Sequence, residues 1–352
     1  MDLHGGNIYR LKREGKGELL DYSSNINPMG VPELFKKAVA ENFHMLEKYP
    51  DPDYVELREN IGRYNNLSEN EIIVGNGATE VLFLYMRALR PKRTVVVAPS
   101  FAEYRRALES IDSEIIYYPM LEENSWQLDT EAFIREVPQC ELVVICNPNN
   151  PAGSFIPLSE IEKINSVLEK RGIKLFIDEA FIEFIKGWED ITAALLKNRN
   201  IFIMRALTKF FAVPGVRLGY GITFDSEMLE KMNQCKEPWS VNSFAELAGK
   251  TMLWDRKYIE AAEKWIEKEK KWFYEESCKI ENIKTYPTNT NFILVKLLKY
   301  TSQEVRDKMI EKGVVVRDAS NFHYLDEKYI RLAVKNRENN KIVLKALKEV
   351  ME

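Results

Sequence analysis

The sequence predicts an α/β fold with a mostly parallel sheet flanked by helices, followed by a smaller C-terminal α+β domain. Seven short runs rich in β-branched and aromatic residues are apolar on both faces, as strands covered on two sides by helices require. They lie at residues 71–75, 94–99, 114–119, 142–148, 173–179, 201–205 and 217–223. The segments between them can supply the helices, for example at 158–170. The 352 residues are enough for one large and one smaller domain.

The pattern changes in the last third of the chain. From about residue 226 it becomes helical and charged, and residues 257–277 predict a long amphipathic helix. Apolar runs at 291–297 and 329–334 predict further strands. The predicted organisation is an N-terminal arm at 1–30, a large domain at 31–235, and a linking helix with a small C-terminal domain at 236–352.

The composition excludes several classes of protein. No stretch approaches the roughly 18 consecutive apolar residues of a membrane-spanning helix. Lys and Arg number 50 against 54 Asp and Glu, and this net charge of -4 argues against nucleic acid as the main partner. The cysteines form no CxxC pair, and three histidines give no metal-ligand spacing, so we expect no metal and a reducing, cytoplasmic location. The N-terminus lacks the apolar core of a signal peptide.

The residues from 204 to 222 carry the clearest chemical signal. The chain has no GxGxxG, GxxxxGK[ST], HExxH or GxSxG motif, so its chemistry must come from elsewhere. Lys209 follows a buried strand, and Arg217 comes eight residues later. A lysine held among apolar side chains can keep its amine partly neutral and form a Schiff base with an aldehyde cofactor. Arg217 would then bind the phosphate of that cofactor, because a guanidinium matches phosphate oxygens.

The order of the motifs resembles the fold-type I pyridoxal-phosphate enzymes of the aminotransferase class, from roughly residue 20 to the C-terminus. The matching strings are VGNGATE, APSFAEY, CNPNNPAG, IKLFID and LTK. The resemblance implies a fold-type I transferase-like architecture and pyridoxal 5′-phosphate as cofactor. The cofactor-binding residues that it implies are Gly77, Ala78, Thr79, Phe101, Asn150, Asp178, Thr208, Lys209, Arg217 and Tyr49.

The resemblance also implies roles for these residues. Lys209 and Asp178 are the expected catalytic residues, and Asp178 would keep the pyridine nitrogen protonated so that the ring accepts electrons from the substrate. Phe101 would stack on the pyridine ring, and Asn150 would donate to the phenolic oxygen. The turn at Gly77 opens a helix, whose N–H groups and dipole favour a phosphate.

Substrate residues follow from the same resemblance. Arg331 would bind the α-carboxylate, and an arginine inside an apolar strand needs a buried anion partner. Arg317, fourteen residues earlier, would bind a substrate phosphate. His4 and Asn7 of the N-terminal arm would close over that phosphate and exclude water. Asn27 and Asn150 complete the predicted substrate site.

Tyr49 resembles a tyrosine that reaches the cofactor phosphate of a neighbouring subunit, which implies a homodimer with shared active sites.

Two positions depart from the family pattern. Ala206 stands where a Ser or Thr usually contacts the cofactor phosphate, so Thr208 and Arg217 would bear more of that contact. Phe181 replaces a tyrosine that usually bonds the phenolic oxygen, which weakly disfavours simple transamination.

Four strings narrow the choice of reaction: residues 4–7, 25–30, 236–249 and 317–340. They resemble a branch of the family that decarboxylates a phosphorylated amino acid in cobalamin biosynthesis. Open alternatives are an aminotransferase for a phosphorylated amino compound such as histidinol phosphate, a phosphoserine decarboxylase, and a non-catalytic regulator that binds the cofactor. Threonine phosphate and serine phosphate stay unresolved, because one methyl group is worth only about 1–3 kcal/mol in a pocket.

Overall fold

A computed structural model describes residues 5–352, so the predicted substrate residue His4 lies outside the described part of the chain. The strands are β1 (Leu20–Asp21), β2 (Ile72–Asn76), β3 (Arg93–Ala98), β4 (Glu114–Pro119), β5 (Leu142–Cys146), β6 (Lys174–Asp178), β7 (Ile201–Ala206), β8 (Leu218–Thr223), β9 (Ile283–Thr285), β10 (Phe292–Leu297), β11 (Val314–Val315), β12 (Arg317–Asp318) and β13 (Tyr329–Ala333). The helices are α1 (Ile8–Arg13), α2 (Glu33–Glu41), α3 (Val55–Tyr64), α4 (Ala78–Leu89), α5 (Glu103–Glu109), α6 (Thr130–Glu136), α7 (Leu158–Lys170), α8 (Leu207–Phe210), α9 (Ser226–Gln234), α10 (Ser243–Thr251), α11 (Arg256–Ser277), α12 (Ser302–Glu311) and α13 (Arg337–Met351).

The seven predicted apolar runs all become strands of one sheet, in the order β2-β8-β7-β6-β5-β3-β4. From β4 to β7 every neighbouring pair is parallel, whereas β8 runs antiparallel to both β7 and β2. The prediction of a mostly parallel sheet is therefore confirmed. Because the carboxyl ends of parallel strands meet at one edge, the loops that follow β3, β5, β6 and β7 converge there.

Alternate residues of the central strands fill two separate apolar layers. Ile177 and Ile203 belong to the larger core on one face of the sheet. Phe176 and Phe202 face the other way and stack on each other with ring centroids 5.5 Å apart. Tyr85 of α4 packs on both of these rings, so this helix covers the second face. Burial on both faces explains why these strands are apolar throughout.

The C-terminal part builds a four-stranded antiparallel sheet in the order β12-β13-β10-β9. The predicted strands at 291–297 and 329–334 are β10 and β13, and the predicted long helix is α11. A separate parallel pair joins β1 to β11. Among the helices of residues 5–352, none is long and apolar enough to cross a membrane. The domain boundaries predicted above stay a prediction.

Glu122, which follows β4, joins the large sheet to the small one. Its carboxylate accepts hydrogen bonds from Tyr286 Oη (2.6 Å), Lys296 Nζ (2.7 Å), Tyr329 Oη (2.9 Å) and Lys284 Nζ (3.1 Å). Burial alone would raise the pKa of Glu122, but these hydrogen bonds outweigh burial and lower the pKa to about 2. A single carboxylate therefore gathers donors from β10, from β13 and from the region of β9.

Replacing Glu122 by Gln should lower the free energy of unfolding by about 1–2 kcal/mol, because charge-assisted hydrogen bonds are lost although water screens part of their strength. The pKa is lower in the folded state, so the stabilisation is complete above the ordinary value of 4.5 and is lost as the pH falls toward 2. Urea unfolding at pH 7 and pH 3 measures both effects. The exposed neighbour provides a control, since Glu123→Gln should change stability by less than about 0.5 kcal/mol. Equal effects of the two substitutions would contradict this role.

Candidate active site

A cavity of about 210 Å³ lies where the carboxyl ends of the parallel strands meet. Residues from both sheets and from the segment after β1 line it. The predicted site residues among them are Ala78, Thr79, Phe101, Asn150, Asp178, Thr208, Lys209, Arg217, Arg317 and Arg331. The fold therefore brings most of the predicted cofactor and substrate residues into one cavity.

Asp178 is the last residue of β6, paired in register with Cys146 of β5 and Met204 of β7. It is buried, and its Oδ2 accepts a hydrogen bond of 2.5 Å from Tyr104 Oη while Oδ1 accepts from the Ala180 N–H at 2.9 Å. Burial raises the pKa of Asp178 to about 6, and the hydrogen bond from Tyr104 opposes this rise. The group is thus mostly a carboxylate at neutral pH, fixed in orientation by two donors.

Lys209 lies in the short helix α8, directly after β7. Burial lowers the pKa of Lys209 to about 8, and the positive charges of Arg331 and Arg217 act in the same direction. An appreciable fraction of the amine is therefore neutral near pH 7–8, as a nucleophile requires. This position fits the predicted role of Lys209.

The turn before α4 forms a close approach between two backbone segments. Gly77 caps the helix with φ +76°, and its N–H donates to the carbonyl oxygen of Arg217 at 3.0 Å. A Cβ at position 77 would lie 2.4 Å from Arg217 Nη2, and one at Gly219 would lie 2.2 Å from the backbone nitrogen of Ala78. Glycine at both positions thus lets a guanidinium and the N-terminus of a twelve-residue helix share one small space, which suits a phosphate.

Arg317 and Arg331 are directly paired across β12 and β13, so their side chains share one face of the small sheet. Both are buried. Arg331 donates to Asn150 Oδ1 at 2.5 Å and to the carbonyl oxygen of Ser23 at 2.9 Å, and its Nε has no hydrogen-bond partner among residues 5–352. Burial, followed by the charge of Arg317, lowers the pKa of Arg331 to about 9. Two adjacent buried cations at a cavity wall favour an anionic ligand.

Four of the predicted site residues within residues 5–352 do not line this cavity. Asn27 contacts the backbone of α8. Its Nδ2 donates to the Phe210 carbonyl oxygen at 2.8 Å, and its backbone N–H donates to the Lys209 carbonyl oxygen at 3.2 Å. Asn7 precedes α1 and lines a neighbouring cavity. Tyr49 is 79% exposed, and its ring centroid is 4.7 Å from that of Trp239. Gly77 is likewise outside the lining and acts through the turn described above.

Four residues that contact the predicted ones were not predicted from the sequence: Ser23, Tyr104, Asn321 and Phe322. Tyr104 stands three residues after Phe101 in the string APSFAEY, so that motif contained the signal. Ser23 contacts Arg331 from 308 residues away, and Asn321 and Phe322 contact Arg317 from the turn between β12 and β13. No local sequence pattern indicates these contacts. Ala206 and Phe181, the two departures from the family pattern, both line the cavity.

These residues fit pyridoxal phosphate. The glycine turn with Arg217 suits the phosphate, the buried carboxylate of Asp178 suits a protonated ring nitrogen, and the amine of Lys209 suits the aldehyde carbon. Phe101 at the cavity wall offers an aromatic face to the ring. Among residues 5–352 no cluster of three His, Cys, Asp or Glu side chains is arranged to hold a metal ion.

Comparison with known proteins gives consistent results. The family model for aminotransferase class I and II matches residues 17–347. A protein of Caldanaerobacter subterraneus subsp. tengcongensis, provisionally named a threonine-phosphate decarboxylase, is 40% identical over 99% of this chain and 94% of its own length. The threonine-phosphate decarboxylase of Salmonella typhimurium is 34% identical over 99% of this chain and 96% of its own length.

A solved structure of histidinol-phosphate aminotransferase from Clostridium acetobutylicum is also similar. It superposes with a TM-score of 0.89 at 36% identity, covering 95% of this chain and 99% of that one. The fold-type I architecture is therefore confirmed over nearly the whole chain.

Replacing Gly77 by Ala should weaken binding of pyridoxal phosphate by about tenfold or more, because the added methyl group displaces the Arg217 guanidinium from the turn. Equilibrium dialysis with the cofactor measures this. Gly172→Ala is the matched control, since Gly172 also has a positive φ of +69° but no heavy atom lies within 4 Å of an added Cβ. Both substitutions strain the backbone, but only the first should change cofactor affinity. Unchanged affinity in Gly77→Ala would remove the turn from the phosphate site.

Proposed function

We propose that this chain, which belongs to the aminotransferase class I and II family, is a pyridoxal-phosphate-dependent decarboxylase of L-threonine O-3-phosphate. The products are CO2 and (R)-1-aminopropan-2-yl phosphate, and the proposed pathway is cobalamin biosynthesis. The observation that carries the proposal is the buried pair of Arg317 and Arg331 on one cavity wall, in a chain similar over its full length to threonine-phosphate decarboxylases.

Each of the two arginines binds a different anionic group of the substrate. Arg331 binds the α-carboxylate, with Asn150 and the Ser23 carbonyl oxygen holding its guanidinium in place. Arg317 binds the phosphate from the adjacent strand. Because both cations are buried at the cavity wall, an incoming carboxylate and phosphate would reduce the cost of burying their charge. His4 and Asn7 complete the phosphate site in this proposal.

Lys209 and Asp178 carry the chemistry. Pyridoxal phosphate supplies, when bound, an aldehyde carbon that condenses with amines and a pyridine ring that accepts an electron pair. Lys209 offers the partly neutral amine that holds the aldehyde, and Asp178 holds a proton on the ring nitrogen. The cofactor phosphate is bound by Thr208, Arg217 and the amides of Ala78 and Thr79. Ala206 has no hydroxyl group and cannot contribute a hydrogen bond to it.

The direction of bond breaking depends on how Arg331 holds the substrate. Arg331 would hold the α-carboxylate where it can leave as CO2, and a proton would then replace it on Cα. If the Cα–H bond were presented in that position instead, Lys209 would move the proton and transamination would follow. Phe181 stands in the cavity wall where relatives carry a tyrosine, so the chain lacks that hydroxyl donor to the phenolic oxygen.

Histidinol-phosphate aminotransferase is the second candidate, because a solved structure of that title is 36% identical and superposes closely. Both candidates require a buried lysine, an aspartate and cationic groups for a phosphorylated substrate. They differ in whether the cofactor returns unchanged after one turnover.

With O-phospho-L-threonine and no keto acid, the enzyme should release CO2 over many turnovers, since loss of CO2 and protonation at Cα leave the cofactor unchanged. Trapping of the released CO2, with and without added 2-oxoglutarate, measures this. O-Phospho-L-serine in parallel tests the contribution of the methyl group. An aminotransferase would stop after one turnover and resume only with 2-oxoglutarate. That behaviour, with steady turnover of histidinol phosphate, would establish the second candidate.

We further propose a cytoplasmic homodimer with shared active sites. Tyr49 contacts the exposed Trp239, and the segment just before Tyr49 exposes Phe43 and Leu46. Exposed large apolar side chains of this kind are typical of an interface. Tyr49 in this proposal reaches the cofactor phosphate of the other subunit. The four free cysteines are compatible with a reducing compartment.

Mixing two inactive variants should restore activity if active sites are shared. In a mixed dimer, the Tyr49→Ala subunit supplies Lys209 and the Lys209→Ala subunit supplies Tyr49 to the same site. Random pairing of equal amounts then gives about a quarter of the wild-type activity after refolding or prolonged incubation. Mixing Lys209→Ala with Asp178→Ala is the control, because one site holds both residues and no intact site can form. Absence of recovery in a mixture shown to form mixed dimers would refute the shared site.

A further inference from the structure

The turn between β12 and β13 has an inner side at the cavity and an outer side on the large sheet. Asn321 and Phe322 line the cavity beside Arg317. On the outer side, His323 stacks on Tyr117 of β4 with ring centroids 3.8 Å apart and an interplanar angle of 17°. Tyr324 Oη donates to the carbonyl oxygen of Tyr117 at 3.0 Å. The position of Asn321 is thus fixed from both sheets.

Asn321 contacts the proposed phosphate-binding arginine directly. Its Oδ1 accepts a hydrogen bond of 2.8 Å from Arg317 Nη2. The ring of Phe322 lies under the same guanidinium, with its centroid 5.4 Å from Cζ. One planar group therefore has a hydrogen bond at one edge and an aromatic face below, and both restrict its rotation.

The amide nitrogen of Asn321, Nδ2, carries two N–H donors. Within the described residues 5–352 the Asn321 side chain makes its hydrogen bond through Oδ1, and Nδ2 donates none. A carboxamide whose oxygen accepts from a guanidinium directs its two N–H donors elsewhere on the same rigid plane. Since Asn321 lines the cavity next to Arg317, these donors suit an oxygen of the anion that Arg317 binds.

We propose that Asn321 is a specificity-determining residue, which orients Arg317 through Oδ1 and donates through Nδ2 to the substrate phosphate. The inference rests on the proposed function, because that function assigns a phosphate to Arg317. A neutral amide is the suitable side chain here. It fixes the guanidinium without cancelling its charge, whereas a carboxylate would pair with Arg317 and repel the phosphate.

The isosteric substitution Asn321→Asp tests the proposal. It should raise the KM for O-phospho-L-threonine at least about thirtyfold, and raise the inhibition constant of inorganic phosphate by a similar factor. Binding of unphosphorylated L-threonine, followed by the change in cofactor absorbance, should change less than about twofold. Asn321→Ser, which keeps neither amide function but adds no charge, should give a smaller effect in the same direction. This pattern separates a phosphate contact from a general structural defect.

Asn339→Asp is the matched control, because Asn339 is half-buried on the first turn of α13 and does not line the cavity. It should leave all of these constants unchanged. Equal weakening of threonine and phosphothreonine by Asn321→Asp, or an unchanged phosphothreonine KM, would overturn the role of Asn321. If the wild type releases no CO2 from phosphothreonine, the proposed decarboxylase function fails. The absorbance titrations with phosphothreonine and inorganic phosphate still decide whether Asn321 contacts a phosphate.

Discussion

The common edge of the parallel strands is the constraint on which the rest of the site depends. Hydrogen-bond register places Asp178 between Cys146 and Met204, so its backbone cannot shift relative to β5 and β7 without breaking hydrogen bonds of the sheet. Asn150 and Lys209 follow those two neighbouring strands and are carried to the same edge. A rigid sheet thus sets the relative positions of groups far apart in sequence, as precise catalysis demands.

Buried charged side chains have different surroundings on the two sides of this edge. On the side away from the cavity, the fully buried Arg205 donates to Glu179 Oε2 at 2.9 Å and to Thr192 Oγ1 at 2.7 Å. On the cavity side, burial lowers the pKa of Lys209 and of Arg331, and neighbouring arginines act in the same direction. Asp178 and Asp21 oppose these shifts without cancelling them. One side of this edge therefore holds a buried ion pair, and the other holds several buried cations at the cavity. The cavity side is the one that anionic ligands can stabilise.

The small sheet completes the cavity through a few specific contacts with the rest of the chain. Arg331 reaches Asn150 of the large sheet's loop and Ser23 of the segment after β1. Glu122 binds side chains on the same small sheet, and the turn that holds Asn321 rests on Tyr117. Arg331 itself makes two of these contacts, and Arg317 is paired with it on the next strand, so the positions of both arginines depend on how the small sheet is held against the rest of the chain.

The sequence by itself determined the seven strands, the long helix α11 and the residues at the strand ends, Asp178 and Lys209. Local periodicity encodes burial, and the family motifs are short continuous strings, so both can be recognised without knowing how the chain folds. Strand order and the partners of the arginines could not be recognised in this way. Ser23 and Arg331 are 308 residues apart, and Tyr329 and Glu122 are 207 apart. Only the tertiary structure determines that Asn27 contacts the backbone of α8 and that Asn321 contacts Arg317. Contacts of this kind depend on how separate elements pack, and no local pattern in the sequence reports that packing.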